Sequence, residues 1–142
     1  MAGLLKVPAE SREQALRATL ERWAREPFDA RTANCALSVL DYVERVSGVE
    51  PLDHLRDISA FDDDQAFASY CGGVMRKLGW QLVKLADRGD VGLVDFGFGL
   101  TACICVEGWP LGAQRWALRG YRGVVIQHAD AYLVWRRPCP RQ

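Results

Sequence analysis

Histidine is scarce in this sequence, which has two, His54 and His128, in 142 residues. Because histidine is the side chain most often used as a general base near neutral pH, few candidates exist for that role. An excess of charge of one sign is also absent, since 18 Lys and Arg residues balance 18 Asp and Glu residues. Proteins that bind nucleic acid or anionic membranes usually carry a basic excess. The balance therefore argues against both partners and leaves self-association unopposed by long-range repulsion.

Long apolar runs are absent as well, and none approaches the roughly 20 residues of a membrane-spanning helix. Residues 1–8 contain too few apolar residues for the apolar region of an export signal. We therefore expect synthesis in a reducing compartment, where cysteines remain thiols. The five cysteines are irregularly spaced along the chain: Cys35, Cys71, Cys103, Cys105 and Cys139.

The first half of the sequence has the apolar spacing of helices. Three helices are predicted, over residues 11–25, 35–46 and 62–78. Ser11 begins a capping-box pattern for the first helix, and Gly48 is a natural stop for the second. The acidic start of the third suits the positive end of the helix dipole. Gly72 and Gly73 lie inside that helix and predict a close contact with a neighbour.

From Gly89 onward, short apolar runs separated by turns predict strands. The runs cover residues 91–96, 100–106, 114–118, 124–127 and 132–136. Residues 97–99 are spaced as a hairpin turn, and residues 80–86 predict a short helix or a loop. Helices followed by an antiparallel sheet predict an α+β fold, with N-terminal helices packed on a C-terminal sheet. One domain is expected over residues 1–142, with flexible tails at 1–10 and 139–142.

Cys35 is the sharpest candidate for chemistry. A thiol in the first turn of a helix faces unpaired N–H groups and the positive end of the dipole, which together lower its pKa. Cysteine hydrolases place their nucleophile in such a position. The alternative is that Cys35 is a small buried apolar residue, as free cysteines commonly are.

Several motifs occur in an order that resembles a known family. They are Pro27-Phe28, Asn34-Cys35-Ala36-Leu37, Arg88-Gly89-Asp90-Val91-Gly92-Leu93-Val94 and Tyr132-Leu133-Val134-Trp135-Arg136-Arg137. The set resembles small phage and prophage tail-associated domains related to NlpC-type cysteine peptidases. Those peptidases are papain-like enzymes that cut peptidoglycan stem peptides. The resemblance covers roughly residues 23–138 and implies a papain-like fold of this type.

The resemblance implies roles for individual residues. Cys35 matches the nucleophile, and Gly89-Asp90 matches the signature of the first strand. The general-base histidine of the family stands at the start of the next strand, which falls near Thr101-Ala102 here. No histidine is present there, so we expect the peptidase activity to be degenerate.

Two further positions depart from the family pattern. Asn34 stands before the candidate nucleophile, where the family usually has Asp. Ala30-Arg31 stands where an upstream Trp-Gly pair is common. Both departures add to the expectation that turnover is lost.

The two histidines of the chain offer one alternative base. His128, oriented by Gln127 or Asp130, could serve Cys35, although the family's base comes from the second strand. An ordinary turn histidine is the competing interpretation. His54 lies in a connector over residues 51–60 and is expected to be exposed.

Other patterns have simpler explanations. Cys103 and Cys105 alternate onto one face of a strand, which predicts core packing rather than zinc binding. Gly97-Phe98-Gly99 lacks the rest of a phosphate-binding loop, and the Asp62–Asp64 run lacks the spacing of a calcium loop. No metal or other cofactor is expected. Trp109 and Trp116 flank a turn, where they either anchor a protein contact or cap the sheet.

These observations lead to a structural role as the main prediction. We expect a phage or prophage tail protein of the tip or baseplate, made in the host cytoplasm and carried in the virion. Its partners would be other tail proteins in an oligomeric assembly. The alternative is a tail-borne cysteine peptidase or amidase that acts on peptidoglycan peptides during genome entry, with Cys35 and His128 as catalytic residues. A cytoplasmic adaptor unrelated to phage is a third possibility.

Overall fold

A computed structural model of the chain describes residues 6–26, 35–52, 63–97, 99–108 and 114–138. Within these residues the chain forms three helices and one six-stranded sheet, in the order β1-β6-β2-β3-β4-β5. The bounds are α1 Arg12–Arg25, α2 Cys35–Ser47, α3 Asp64–Lys77, β1 Gln81–Leu82, β2 Val91–Asp95, β3 Leu100–Glu107, β4 Arg115–Gly120, β5 Gly123–His128 and β6 Leu133–Arg136. Helices precede an antiparallel sheet, which confirms the α+β class.

The helix ends follow local chemistry. The Ser11 hydroxyl accepts a hydrogen bond from the Gln14 backbone N–H at 3.1 Å, and Gln14 reaches back to complete the predicted capping box. Asp63 caps α3 by accepting from the Ala66 N–H at 2.7 Å. Gly48 follows α2 with φ of 69°, a conformation that glycine adopts without steric cost. The predicted start of α1 and stop of α2 are thereby confirmed.

Residues just before α1 run beside the end of α2. The Val7 N–H donates to the Gly48 carbonyl at 2.9 Å, and the Glu10 N–H donates to the Arg45 carbonyl at 3.1 Å. These residues belong to the predicted N-terminal tail, and the bonds give residues 6–10 a defined path. Residues 1–5 and 139–142 lie outside the described residues.

The glycine pair inside α3 faces two different environments. A Cβ at Gly72 would make an ordinary contact with the Trp135 ring at 3.9 Å, whereas a Cβ at Gly73 would meet nothing within 4 Å. The close contact predicted for the two glycines is therefore wrong: Gly73 faces solvent, and Gly72 has room for a Cβ. The ordinary contact between Gly72 and Trp135 marks where α3 packs on β6.

The segment over residues 80–86, predicted as a short helix or loop, begins with strand β1. Gln81 pairs with Arg136 and Leu82 with Trp135 in the antiparallel ladder to β6. A two-residue strand has no periodicity of its own. Its existence depends on a partner strand about fifty residues later in the chain.

One face of the sheet carries a core cluster. The register pairs Gly92 with Cys103 and Val94 with Thr101, so these side chains share that face. The buried members are Ala86, Val94, Cys103, Cys105, Trp116, Leu118 and Val134. Core packing of Cys103 and Cys105 is confirmed.

Trp116 belongs to this core rather than to an exposed anchor. It is fully buried, and its indole N–H donates to the Ala129 carbonyl at 3.0 Å. A Cβ at Gly92 would lie 2.5 Å from the Trp116 ring, so glycine is required where that ring crosses β2. Trp109 lies outside the described residues.

The chain divides into two compact units. The first comprises Met1–Ser59 and Arg119–Val124, and therefore contains α1, α2 and the end of the β4–β5 hairpin. The second comprises Ala60–Leu118 and Val125–Gln142, which include α3 and most of the sheet. The single domain expected over residues 1–142 stays a prediction. Among the described helices, none has the length and apolar character that crossing a bilayer requires.

Candidate functional site

Cys35 is the first residue of α2, as predicted from the sequence. The side chain of Cys35 and the preceding Asn34 lie outside the described residues. The first turn of a helix presents unpaired N–H groups and the positive end of the dipole. The position is therefore one in which a thiolate is stabilised.

A buried arginine ties α2 to the rest of the first unit. Arg119, at the end of β4, is only 5% exposed. Its Nη1 donates to the Ser38 hydroxyl at 3.1 Å, and its Nε donates to the Glu26 carbonyl at 2.7 Å. Burial is the main cause that lowers the pKa of Arg119. Because Ser38 lies one turn beyond Cys35, these bonds fix the beginning of α2.

Asp90, in the Gly89-Asp90 signature, is fully buried in the second unit. Its carboxylate accepts from Arg136 Nε at 3.1 Å and from Arg136 Nη2 at 2.8 Å. It also accepts from the Asp87 backbone N–H at 2.8 Å. The hydrogen bond to Asp90 is the main cause that raises the pKa of Arg136. Asp90 therefore forms a structural ion pair that holds β2 to β6.

The position expected for the family's base lies at the start of β3. Thr101 pairs with Val94 and Ala102 with Leu93, and both β3 residues are buried in the β2–β3 ladder. The threonine hydroxyl lies 3.5 Å from the Gly99 carbonyl. Neither side chain titrates near neutral pH, so this strand presents no proton acceptor where the resemblance requires one.

His128, the alternative base, is the last residue of β5 and is exposed. β5 is the end strand of the sheet and is separated from β3 by β4. The two proposed orienting residues, Gln127 and Asp130, are also exposed. Cys35 belongs to the first unit and His128 to the second, and their pairing stays a prediction. His54 lies outside the described residues.

The cysteines of β3 are not nucleophiles. Burial raises the pKa of the Cys105 thiol to about 12, so the thiol stays protonated at neutral pH. Cys103 is fully buried, and its sulfur lies 3.5 Å from the Gly92 carbonyl oxygen. In the part of the chain that the structure describes, no three His, Cys, Asp or Glu residues gather as metal ligands would.

A groove of about 570 Å³, which the sequence did not predict, lies between α3 and the β1–β6 ribbon. Its lining residues are Gln65, Ala68, Ser69, Gly72, Arg76, Trp80, Leu82, Tyr132, Leu133 and Trp135. The lining has aromatic and hydroxyl groups and one cation, but no Cys, His, Asp or Glu. It can hold a ligand but supplies no acid–base pair. No local signal could reveal it, because the groove exists only where β1 pairs with β6.

Comparison with known proteins assigns the chain to a family. Residues 9–137 match the family described as a domain of unknown function, DUF6950. The chain belongs to this family. Neither a curated protein nor a solved structure matches it. The DUF6950 match spans α1 through β6, and the family's description names no activity.

Proposed function

We propose that this DUF6950 chain is a structural protein of a phage or prophage tail, at the tip or baseplate, with a degenerate NlpC-type peptidase fold. The proposal is carried by the identity of the residues that stand in place of the family's general-base histidine. Buried Thr101 and Ala102 stand at the start of β3, where the resembled peptidases have their histidine.

The missing base affects both halves of peptide hydrolysis. A thiol needs a proton acceptor to become a nucleophile, and the leaving amine needs a proton donor. Loss of such a group costs roughly 10²–10⁴-fold in rate. Thr101 cannot perform either role, and Asp90, just before β2, is hydrogen-bonded to Arg136. The β2–β3 region is therefore better suited to a scaffold than to turnover.

The proposed partners are other tail proteins in an oligomeric assembly. The chain would be made in the host cytoplasm and carried in the virion. A formal net charge of zero supports such packing, because it opposes neither self-association nor docking into a larger particle.

One observation favours the enzymatic alternative. Cys35 is the first residue of α2, where the helix dipole favours a thiolate. A tail-borne peptidase or amidase would use Cys35 as the nucleophile and His128 as the base on peptidoglycan peptides.

A cleavage assay separates the two functions. Purified peptidoglycan is incubated with the unaltered chain, with Cys35→Ala and with Cys71→Ala as a matched cysteine control, and released peptides are identified by mass spectrometry. The scaffold proposal expects no release by any of them. Release that disappears only in Cys35→Ala contradicts the proposal, and its further loss in His128→Ala identifies the base.

A second experiment tests the tail assignment directly. The strain that encodes the chain is treated to induce any prophage, and the chain is quantified in purified particles and in the free protein fraction. We expect a fixed copy number per particle, unchanged in Cys35→Ala. Recovery of the chain only in the free fraction rejects a structural role in the tail.

A further inference from the structure

The indole of Trp135 faces the groove beside α3. Trp135 lies on β6 and is only 3% exposed, and its side chain is part of the groove lining. Its Cζ2 atom would lie 3.9 Å from a Cβ at Gly72, which lines the same groove. Cζ2 adjoins the ring carbon that is bonded to the indole nitrogen. The side of the ring that includes the N–H is therefore turned toward α3.

The N–H of Trp135 has no acceptor in the part of the chain that the structure describes. Trp116 differs, because its N–H donates to the Ala129 carbonyl at 3.0 Å. The Trp135 nitrogen is not fully enclosed by protein atoms, so a bound molecule can reach it. Buried tryptophans usually have a hydrogen-bond partner for the N–H. This donor is therefore suited to an acceptor that a ligand brings.

A second donor in the groove carries a charge. Arg76, near the end of α3, is exposed and makes no hydrogen bond or ion pair with any described residue. Arg115 and Arg136, in contrast, both pair with carboxylates. No Asp or Glu lines the groove. A guanidinium without a carboxylate beside it favours an anionic ligand and disfavours a cationic one.

The remaining walls suit an apolar molecule of small size. Leu82 and Tyr132 line the groove, and each is 64% exposed. Covering these side chains with apolar surface is favourable. On the opposite wall, α3 presents Ala68, Ser69 and Gly72, whose small side chains leave the space open. The volume of about 570 Å³ lies within the range of roughly 300–1,000 Å³ that is typical of small-molecule sites.

We propose that this groove binds a small organic carboxylate with an aromatic or branched aliphatic body. The Trp135 N–H and the Arg76 guanidinium donate to the carboxylate, and the body covers Leu82 and Tyr132. A carboxylate has one charge and two acceptor oxygens, which match one guanidinium and one neutral N–H. A phosphate dianion would require further donors. The inference does not depend on the proposed tail function, because the resemblance assigns none of these residues a catalytic role.

Heteronuclear NMR of the full chain tests the site through the indole N–H signals. The five tryptophans give five such signals, and that of Trp135 is identified by its absence in Trp135→Phe. We expect naphthoate or isocaproate to shift the Trp135 signal in a saturable way. Naphthamide, which keeps the ring of naphthoate but lacks its charge, should shift it far less. Absence of a saturable shift with either carboxylate at millimolar concentration overturns the proposal.

A charge variant tests the role of Arg76. Arg76→Gln should raise the Kd of the bound carboxylate by at least about tenfold, because the guanidinium supplies the only charge in the lining. Lys77→Gln is the matched control, since Lys77 is the next cation on α3, is exposed and does not line the groove. It should leave the Kd almost unchanged. Equal weakening by the two variants would indicate unspecific attraction of anions and would refute the site.

Filling the groove tests its position. Gly72→Leu adds a side chain inside the groove and should abolish binding. Gly73→Leu is the control, because a Cβ at Gly73 meets nothing within 4 Å. Both changes replace a glycine within α3, so the gain in helix propensity is shared, and circular dichroism melts verify folding. Equal binding by the two variants, or a shift confined to another tryptophan, would exclude the groove as the binding site.

Discussion

Each of the two units buries a charged side chain, but the groups that hydrogen-bond to that side chain differ between the units. In the second unit, fully buried Asp90 faces the guanidinium of Arg136 through two short hydrogen bonds. In the first, Arg119 relies on the Glu26 carbonyl and the Ser38 hydroxyl, and its nearest carboxylate, on exposed Glu26, lies 3.6 Å away. A buried ion pair leaves an uncompensated charge when one partner is removed, whereas neutral partners lose only hydrogen bonds.

The largest effect should come from Asp90→Ala. The change leaves the Asp87 N–H without its acceptor and leaves the half-buried Arg136 guanidinium with the Leu85 carbonyl in place of a carboxylate, and we expect a loss of about 2–3 kcal/mol in the free energy of unfolding. Denaturant unfolding measures it. Asp95→Ala, at the exposed end of β2, is the control and should cost about 1 kcal/mol. Equal losses in the two variants would show that the Asp90–Arg136 pair contributes no more to stability than an exposed hydrogen bond does.

Arg119→Met should cost less, about 1–2 kcal/mol, because it unpairs one buried hydroxyl and one carbonyl but leaves no buried charge. The same unfolding measurement applies. Arg119→Lys should not restore stability, since one ammonium lacks the fork that reaches both acceptors. A loss as large as that of Asp90→Ala would break the contrast between the units.

The helix caps should matter to a similar extent in both units. Ser11→Ala removes the cap of α1 and Asp63→Ala removes that of α3, and each should cost about 1 kcal/mol. Ser11→Asp keeps an acceptor at the cap and serves as the control, with stability close to that of the unaltered protein. A cost confined to one unit would indicate that the units differ in local stability as well as in buried charge.

The smallest effect concerns pH and Glu26 in the first unit. The hydrogen bond from Arg22 is the main cause that lowers the pKa of Glu26 below its usual value of 4.5. A lowered pKa in the folded state stabilises it above pH 4.5, and this contribution is lost as the pH falls through the folded-state pKa. Glu26→Gln should therefore show a shallower loss of stability on acidification. An unchanged pH profile would mean that the exposed pair contributes nothing.

Local signals predicted much of the fold and, in the candidate site, the position of Cys35. Ser11 and Gly48 set helix limits because capping and positive φ depend on one or two residues. Cys35 at the start of α2 was predicted for the same reason. Strands β2 to β6 lie within one or two residues of their predicted limits, because each has its own apolar run and turn.

Contacts distant in sequence escaped prediction. Asp90 and Arg136 are 46 residues apart, and Arg119 and Ser38 are 81 apart, so neither pairing has a periodic signal. The expected contact at Gly73 failed because a glycine inside a helix does not reveal which side is covered. The groove beside α3 was missed because β1 is too short to be recognised alone.

The sequence by itself determined the α+β class, the helix limits and the absence of histidine at Thr101-Ala102, because these depend on nearby residues or on composition. Only the tertiary structure decided which charges are buried, which residues line the groove and which strands lie at the two ends of the sheet. Such features arise from pairing between distant segments. Apolar burial and hydrogen bonding select that pairing for the whole chain at once.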